Sequence, residues 1–182
     1  MNIIVRPYGS DLCQCRPDTT WERENKDFYS PECVNEIMWT PVVFARISKA
    51  GKCIGEKFVE RYYDGVGCGI LMYCRTGETE YSQCVDHTSI LPMPLYNPVV
   101  LENEDNVFIV TTGEDSFAAI PAGYADLLKK AICGSSRLTS LRIGDFVAVE
   151  TAHMQTIPAG GETTSVKGTF CGNDIFDFKI IF

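Results

Sequence analysis

The sequence predicts a single mixed α/β domain, rich in strands, folded as a β-roll or sandwich with a few short helices. Short apolar runs rich in Val, Ile and Phe recur along the chain, separated by Gly, Asn and Asp turn signals. Only two segments space their apolar residues as a helix does. Strands and helices also fail to alternate as a doubly wound parallel sheet requires. At 182 residues the chain is read as one domain, 1–182, able to bury a core without covalent staples.

Taken in order, the first strand is read at Ile3–Arg6 and is stopped by Pro7. A strand at Val42–Ile47 runs into the turn Lys49-Ala-Gly51. Ile54, Phe58 and Tyr62 then mark a short helix, with Glu56, Glu60, Lys57 and Arg61 turned to solvent. Gly69–Cys74 is the next strand. Val99–Leu101 and Val107–Thr112 follow, with Glu104-Asp-Asn106 as a hairpin connection between them. Tyr124, Leu127, Leu128, Ala131 and Ile132 fall at i, i+3, i+4, i+7 and i+8, and Gly134 is placed to cap that helix. Arg142-Ile-Gly-Asp145 delivers the chain into a strand at Phe146–Thr151. Ser165–Phe170 and Ile175–Phe182 close the chain as a hairpin about Gly172-Asn-Asp174.

A net charge of −8 argues against nucleic acid, because no basic stripe is available to displace counterions. The densest basic pair, Lys129-Lys130, reads as a solvated helix face. No apolar run approaches a membrane span, and the apolar start of MNIIVRPYGS is too short for a signal-peptide core. A cytoplasmic protein with no membrane partner is expected. The nine cysteines are odd in number and scattered, without paired C-x2-C motifs. They are read as small buried hydrophobes in a reducing compartment.

Three blocks in order resemble the fumarylacetoacetate hydrolase family, as its C-terminal domain. The first is Arg16-Pro-Asp-Thr-Thr with Phe28-Tyr-Ser-Pro after it. The second runs from Ala45-Arg-Ile-Ser-Lys-Ala-Gly-Lys52 through Glu60-Arg-Tyr-Tyr-Asp64 to Gly69-Ile70 and Arg75. The third is Leu138–Asp145 with its Leu-x-x-Gly-Asp turn, and a strand pair ending Asp177-Phe-Lys-Ile180. The resemblance implies that family's β-roll, commonly a homodimer. It also implies a Mg²⁺-type ion held by carboxylates, which fixes a keto-acid or diketone and stabilises its enolate.

This chain departs from that pattern at the ion. The family's His-Tyr-Glu-x-Glu run falls on Met38-Trp-Thr-Pro-Val42, so Thr40 and Val42 stand where the resemblance puts ligand glutamates. Leu71 stands at the ligand aspartate. The family's active-site lysine falls on Gln83, and its early Asn-Tyr-x-x-His helix is missing. The Thr-Gly-Thr-Pro substrate loop falls near Val149–Ala152 or, in another register, near 156–160. No metal and no cofactor is therefore expected. The resemblance leaves Arg16, Asp18, Arg75 and Gln83 as residues to line a pocket for a small anionic ligand.

Independent chemistry has three sets of candidates. Cys84-Val-Asp86-His87 offers a thiol, an imidazole to activate it and a carboxylate to orient the ring, although sequence neighbours rarely converge as a triad. Glu150 and His153, with Glu36 or Asp86, offer a displaced metal site, against the plainer reading of surface and loop residues. Arg46, Arg61 and Arg75 offer an anion pocket, with ion pairing as the plainer reading of Arg46 and Arg61. Gly160-Gly161 is not a phosphate loop, because no Lys and helix follow it.

The expectation is a catalytically degenerate domain of this kind with a structural, small-molecule-binding or regulatory role, self-associating as a dimer. The alternative is a Mg²⁺- or Mn²⁺-dependent hydrolase, decarboxylase or tautomerase of a small keto-acid or diketone, working through relocated carboxylates.

Overall fold

The computed structural model describes residues 1–77, 81–157 and 163–182. Its first strands are β1 (Ile3–Arg6), β2 (Gln14–Arg16), β3 (Trp21–Glu22), β4 (Phe28–Tyr29), β5 (Glu36–Ile47) and β6 (Tyr63–Arg75). Next come β7 (Tyr81–Ser82), β8 (Ser89–Ile90), β9 (Phe108–Thr112) and β10 (Asp115–Ala119). The helix α1 (Ala125–Leu138) precedes β11 (Phe146–Glu150), β12 (Gln155–Thr156), β13 (Thr163–Phe170) and β14 (Asn173–Ile181). The strand-rich mixed class read from the sequence is the class observed.

One sheet has the order β2-β1-β11-β5-β6-β8-β3, with β12 added to β5 and β7 to β6. The other has the order β10-β9-β13-β14-β4. The long pair β5 and β6 is the spine of the first sheet, antiparallel from Glu36↔Arg75 to Ile47↔Tyr63. Nearly all of its residues are buried, because both faces are covered. β13 instead alternates exposed and buried, as a strand with one wet face does.

The two faces of the spine serve two cores. Ile37, Trp39, Val43, Ala45 and Ile47 of β5 join Ile70 and Met72 of β6 in the main core, with Leu128 and Ile132 of α1 and Phe176 and Phe178 of β14. The opposite face carries Val42 and Phe44 of β5, Leu71 and Tyr73 of β6, Ile3 and Val5 of β1, and Phe146 and Ala148 of β11. Trp21 of β3 meets Phe146 of β11 edge-on, ring centroids 4.9 Å apart. A flat sheet would hold those strands roughly 19 Å apart, four spacings of about 4.8 Å. The sheet therefore curls until its far strand touches its near one, and the second core fills the roll.

Several local expectations change. Val99–Leu101 is a 3-10 turn, Pro98–Leu101, not a strand, because Pro98 starts it and Asn97 caps it through Val99 N at 3.1 Å. Glu104–Asn106 accordingly links a turn to a strand; the hairpin at β9 is on its other side, at Gly113-Glu114. The Ile54–Tyr62 helix is the 3-10 segment Glu56–Arg61. Gly134 lies inside α1, which continues to Leu138. The last hairpin turns on Cys171-Gly172, both at positive φ (50° and 74°), the two-residue turn whose twist suits paired strands.

Candidate functional site

The face of β5 that would carry the family's ligands is defined by parity. Residues 38, 40, 42 and 44 point into the roll, as do 69, 71 and 73 of β6. Thr40 lies directly across from Leu71, and Val42 across from Gly69. Three residues separated by up to 31 positions thus share one small patch. All three are fully buried.

The patch has little to offer an ion. The Thr40 hydroxyl donates to the Ala152 carbonyl at 2.8 Å, and Val42 and Leu71 have no donor atoms. One acid, Glu150 of β11, lies directly across from Val42. It is 4% exposed, which corrects the reading of it as a surface residue. Its Oε1 accepts from the Tyr73 hydroxyl and its Oε2 from the Tyr8 amide at 2.9 Å. Burial raises the Glu150 pKa against those hydrogen bonds and the nearby Arg16 charge, which lower it. Burial also raises Tyr73, so the phenol keeps its proton and donates.

Arg16 lies under this patch, also fully buried. Its guanidinium donates to Gln83 O at 2.9 Å, Ser89 Oγ at 3.0 Å and the Met72 carbonyl, and stacks 4.9 Å from the Tyr73 ring. Its donors are directed to the protein itself. Gln83 donates to Gln14, and Arg75 pairs with Glu36 at 2.7 Å. Asp18 is half exposed beside the chain's amino group at 3.9 Å. Of these four, Arg16 and Gln83 are in contact, while Asp18 and Arg75 are tied to other partners. Arg46 faces Asp64 at 4.0 Å, the ion pairing read for it, whereas Arg61 stacks on the Phe58 ring.

Among the described residues no group of three His, Cys, Asp or Glu side chains could hold a metal. His153 is exposed and packs on the Tyr8 ring, centroids 4.6 Å apart, and does not join Glu150 in a ligand set. Thr151 donates through N to Pro41 O at 2.9 Å, so residues 150–152 lie against the patch. The alternative register for the substrate loop, and Gly160-Gly161, extend outside the described residues.

A fumarylpyruvate hydrolase from Pseudomonas aeruginosa, solved with Mn²⁺ and pyruvate, superposes with a TM-score of 0.79 at 13% identity, over 100% of this chain and 90% of that one. A maleylpyruvate hydrolase from Sphingobium gives 0.79 at 13% identity, over 99% and 70%. A protein from Yersinia pestis provisionally assigned to the fumarylacetoacetate hydrolase family gives 0.76 at 12%, over 99% and 92%.

This chain has the fumarylacetoacetate hydrolase fold.

No protein-family model matches the sequence, and no curated protein matches it either. At these identities the likeness is one of fold. Within that fold, the side chains at the patch do not fit a hard divalent cation, which needs oxygen ligands and ionised carboxylates.

A cleft of about 740 Å³ lies elsewhere, at the edge of the curled sheet. It brings together Cys84, Asp86 and His87 with a residue the sequence reading missed. His87 Nδ1 lies 2.7 Å from Oε2 of Glu22, 65 positions upstream, so the ring is oriented by Glu22 and not by its neighbour Asp86. Nothing local in the sequence announces this pair. It depends on β3 lying parallel beside β8, Glu22 across from Ile90.

The cysteines also differ from expectation. All nine are free, and only Cys68, Cys74 and Cys133 are buried. Cys15, Cys33, Cys53 and Cys84 are exposed, because each sits in a turn or on an edge.

Proposed function

We propose that this protein uses the fumarylacetoacetate hydrolase fold without that family's metal-dependent chemistry, in a structural, small-molecule-binding or regulatory role. The supporting observation is the patch itself. Thr40, Val42 and Leu71, the positions at which the family resemblance calls for ligand carboxylates, come together and are closed over by the second core. An ion placed there would lose its hydration and meet one hydroxyl already hydrogen-bonded and two hydrocarbon side chains, a loss of several kcal/mol per charge. Glu150 is one carboxylate, held by two donors and biased towards its neutral form.

Self-association as a homodimer is part of this reading, tested by sedimentation equilibrium. The metal part is tested by isothermal titration with Mg²⁺ and Mn²⁺. No saturable binding is expected. Tight binding that Glu150→Gln or Asp86→Asn abolishes, with metal-dependent turnover of acylpyruvates or oxaloacetate, would establish the relocated-carboxylate enzyme instead.

A further inference from the structure

We propose that Glu22, His87 and Cys84 form a thiol-nucleophile site that accepts the acyl group of small, apolar thioesters or esters. This cleft is distinct from the closed patch.

The acid comes first. Glu22 carries a side chain only 5% exposed, and its Oε1 accepts from the amides of Glu24 at 2.7 Å and Lys26 at 3.4 Å. A carboxylate held by two backbone N–H groups is an acceptor. Nδ1 of His87 is therefore the proton-bearing nitrogen towards Oε2, which leaves the lone pair on Nε2. This is the arrangement that fixes the tautomer of a general base and stabilises the imidazolium once it forms.

The backbone supports the same reading. His87 sits at φ 60°, in the left-handed region, and its N–H donates to Thr19 O at 3.2 Å. The ring is held at Nδ1 and the backbone at its amide, yet the side chain is 60% exposed. A residue placed in a less favoured conformation and pinned there, at the wall of an open cleft, is costly for a loop that does nothing.

The nucleophile shares the cleft. Cys84 is exposed and lines the same cavity, and its amide is fixed by Ser82 Oγ at 3.2 Å. The Arg16 guanidinium grips the preceding carbonyl, Gln83 O, and so places a permanent positive charge one residue from the thiol. Phe28, Pro31 and Val85 give the cleft an apolar wall that suits a hydrocarbon or aryl acyl group.

The chemistry balances without a further reagent. His87 Nε2 takes the Cys84 proton and the thiolate attacks the acyl carbon. The carbon–sulfur or carbon–oxygen bond to the leaving group breaks, and the imidazolium protonates that group. Water, deprotonated by the same nitrogen, then cleaves the acyl-cysteine to a carboxylic acid and the free thiol.

The other exposed cysteines supply the control. Native protein is alkylated with limiting iodoacetamide at neutral pH and each cysteine is followed by peptide mass spectrometry. Cys84 is expected to react about tenfold or more faster than Cys15, Cys33 and Cys53, since the thiolate alone is the nucleophile. That excess is expected to vanish in His87→Gln and shrink in Glu22→Gln, each checked for native circular dichroism. With p-nitrophenyl acetate, an acetyl group is expected on Cys84 of the wild type and not of His87→Gln. Should His87→Gln not fold, Glu22→Gln carries the comparison. The proposal is overturned if Cys84 reacts no faster than the other three, if a folded variant reacts as the wild type does, or if no acetyl-Cys84 forms.

Discussion

Leu71 and Glu150 set the character of the closed patch. Leu71 is fully buried across from Thr40, so its replacement by the aspartate of the family pattern would remove a packed side chain and bury an unpaired charge. Leu71→Asp is expected to cost about 3–5 kcal/mol in urea unfolding and to gain no Mn²⁺ affinity, as large-to-small and charge-burial penalties predict. Glu150 gives a test by pH. Its pKa is raised in the fold by burial, so the native state holds a proton that the unfolded chain releases above the ordinary value of 4.5. The stability tied to that proton is fully present below the unfolded value and is lost as pH rises through the folded one. Glu150→Gln keeps the shape and removes the titration. The urea midpoint of the variant is expected to gain on wild type as pH is raised from 4.5 to neutrality; a constant difference across that range would show that Glu150 does not titrate there.

At the scale of elements, the close approach of β8 to β6 depends on Gly69. A Cβ at Gly69 would lie 2.2 Å from the Ile90 carbonyl oxygen, a backbone atom that cannot swing away. Gly69→Ala is therefore expected to lower stability by about 1–3 kcal/mol, the usual penalty of overpacking, and to loosen the β3–β8 pairing on which Glu22 and His87 depend. Its check is a urea melt together with amide exchange at Ile90, which should speed up. Local chemistry made other elements readable. The apolar runs within β5 and β6, the 3.6-residue spacing of α1 and the turn at Gly172 are all properties of adjacent residues. Short elements were not readable. β3, β4 and β8 are two residues each, too short to show a period, and exist only because a neighbouring strand supplies the hydrogen bonds.

For the molecule as a whole, curling of the large sheet closes the second core and opens the edge cleft. It brings Trp21 onto Phe146 and lays β3 beside β8, so one bend fills the patch and builds the Glu22–His87 contact. The sequence by itself determined the strand-rich class, the strand from Val42 to Ile47, and the lack of carboxylates at Thr40, Val42 and Leu71, because each follows from residue type and near-neighbour spacing. It also put Cys84 and His87 close together. Only the tertiary structure decided that the patch is sealed, that Glu150 is buried and bonded to Tyr73, that Arg16 directs its donors to backbone carbonyls and Ser89, and that the partner of His87 is Glu22. Those facts rest on contacts between residues up to 142 positions apart. Such contacts are set by how the sheet closes on itself, and no local periodicity encodes that closure.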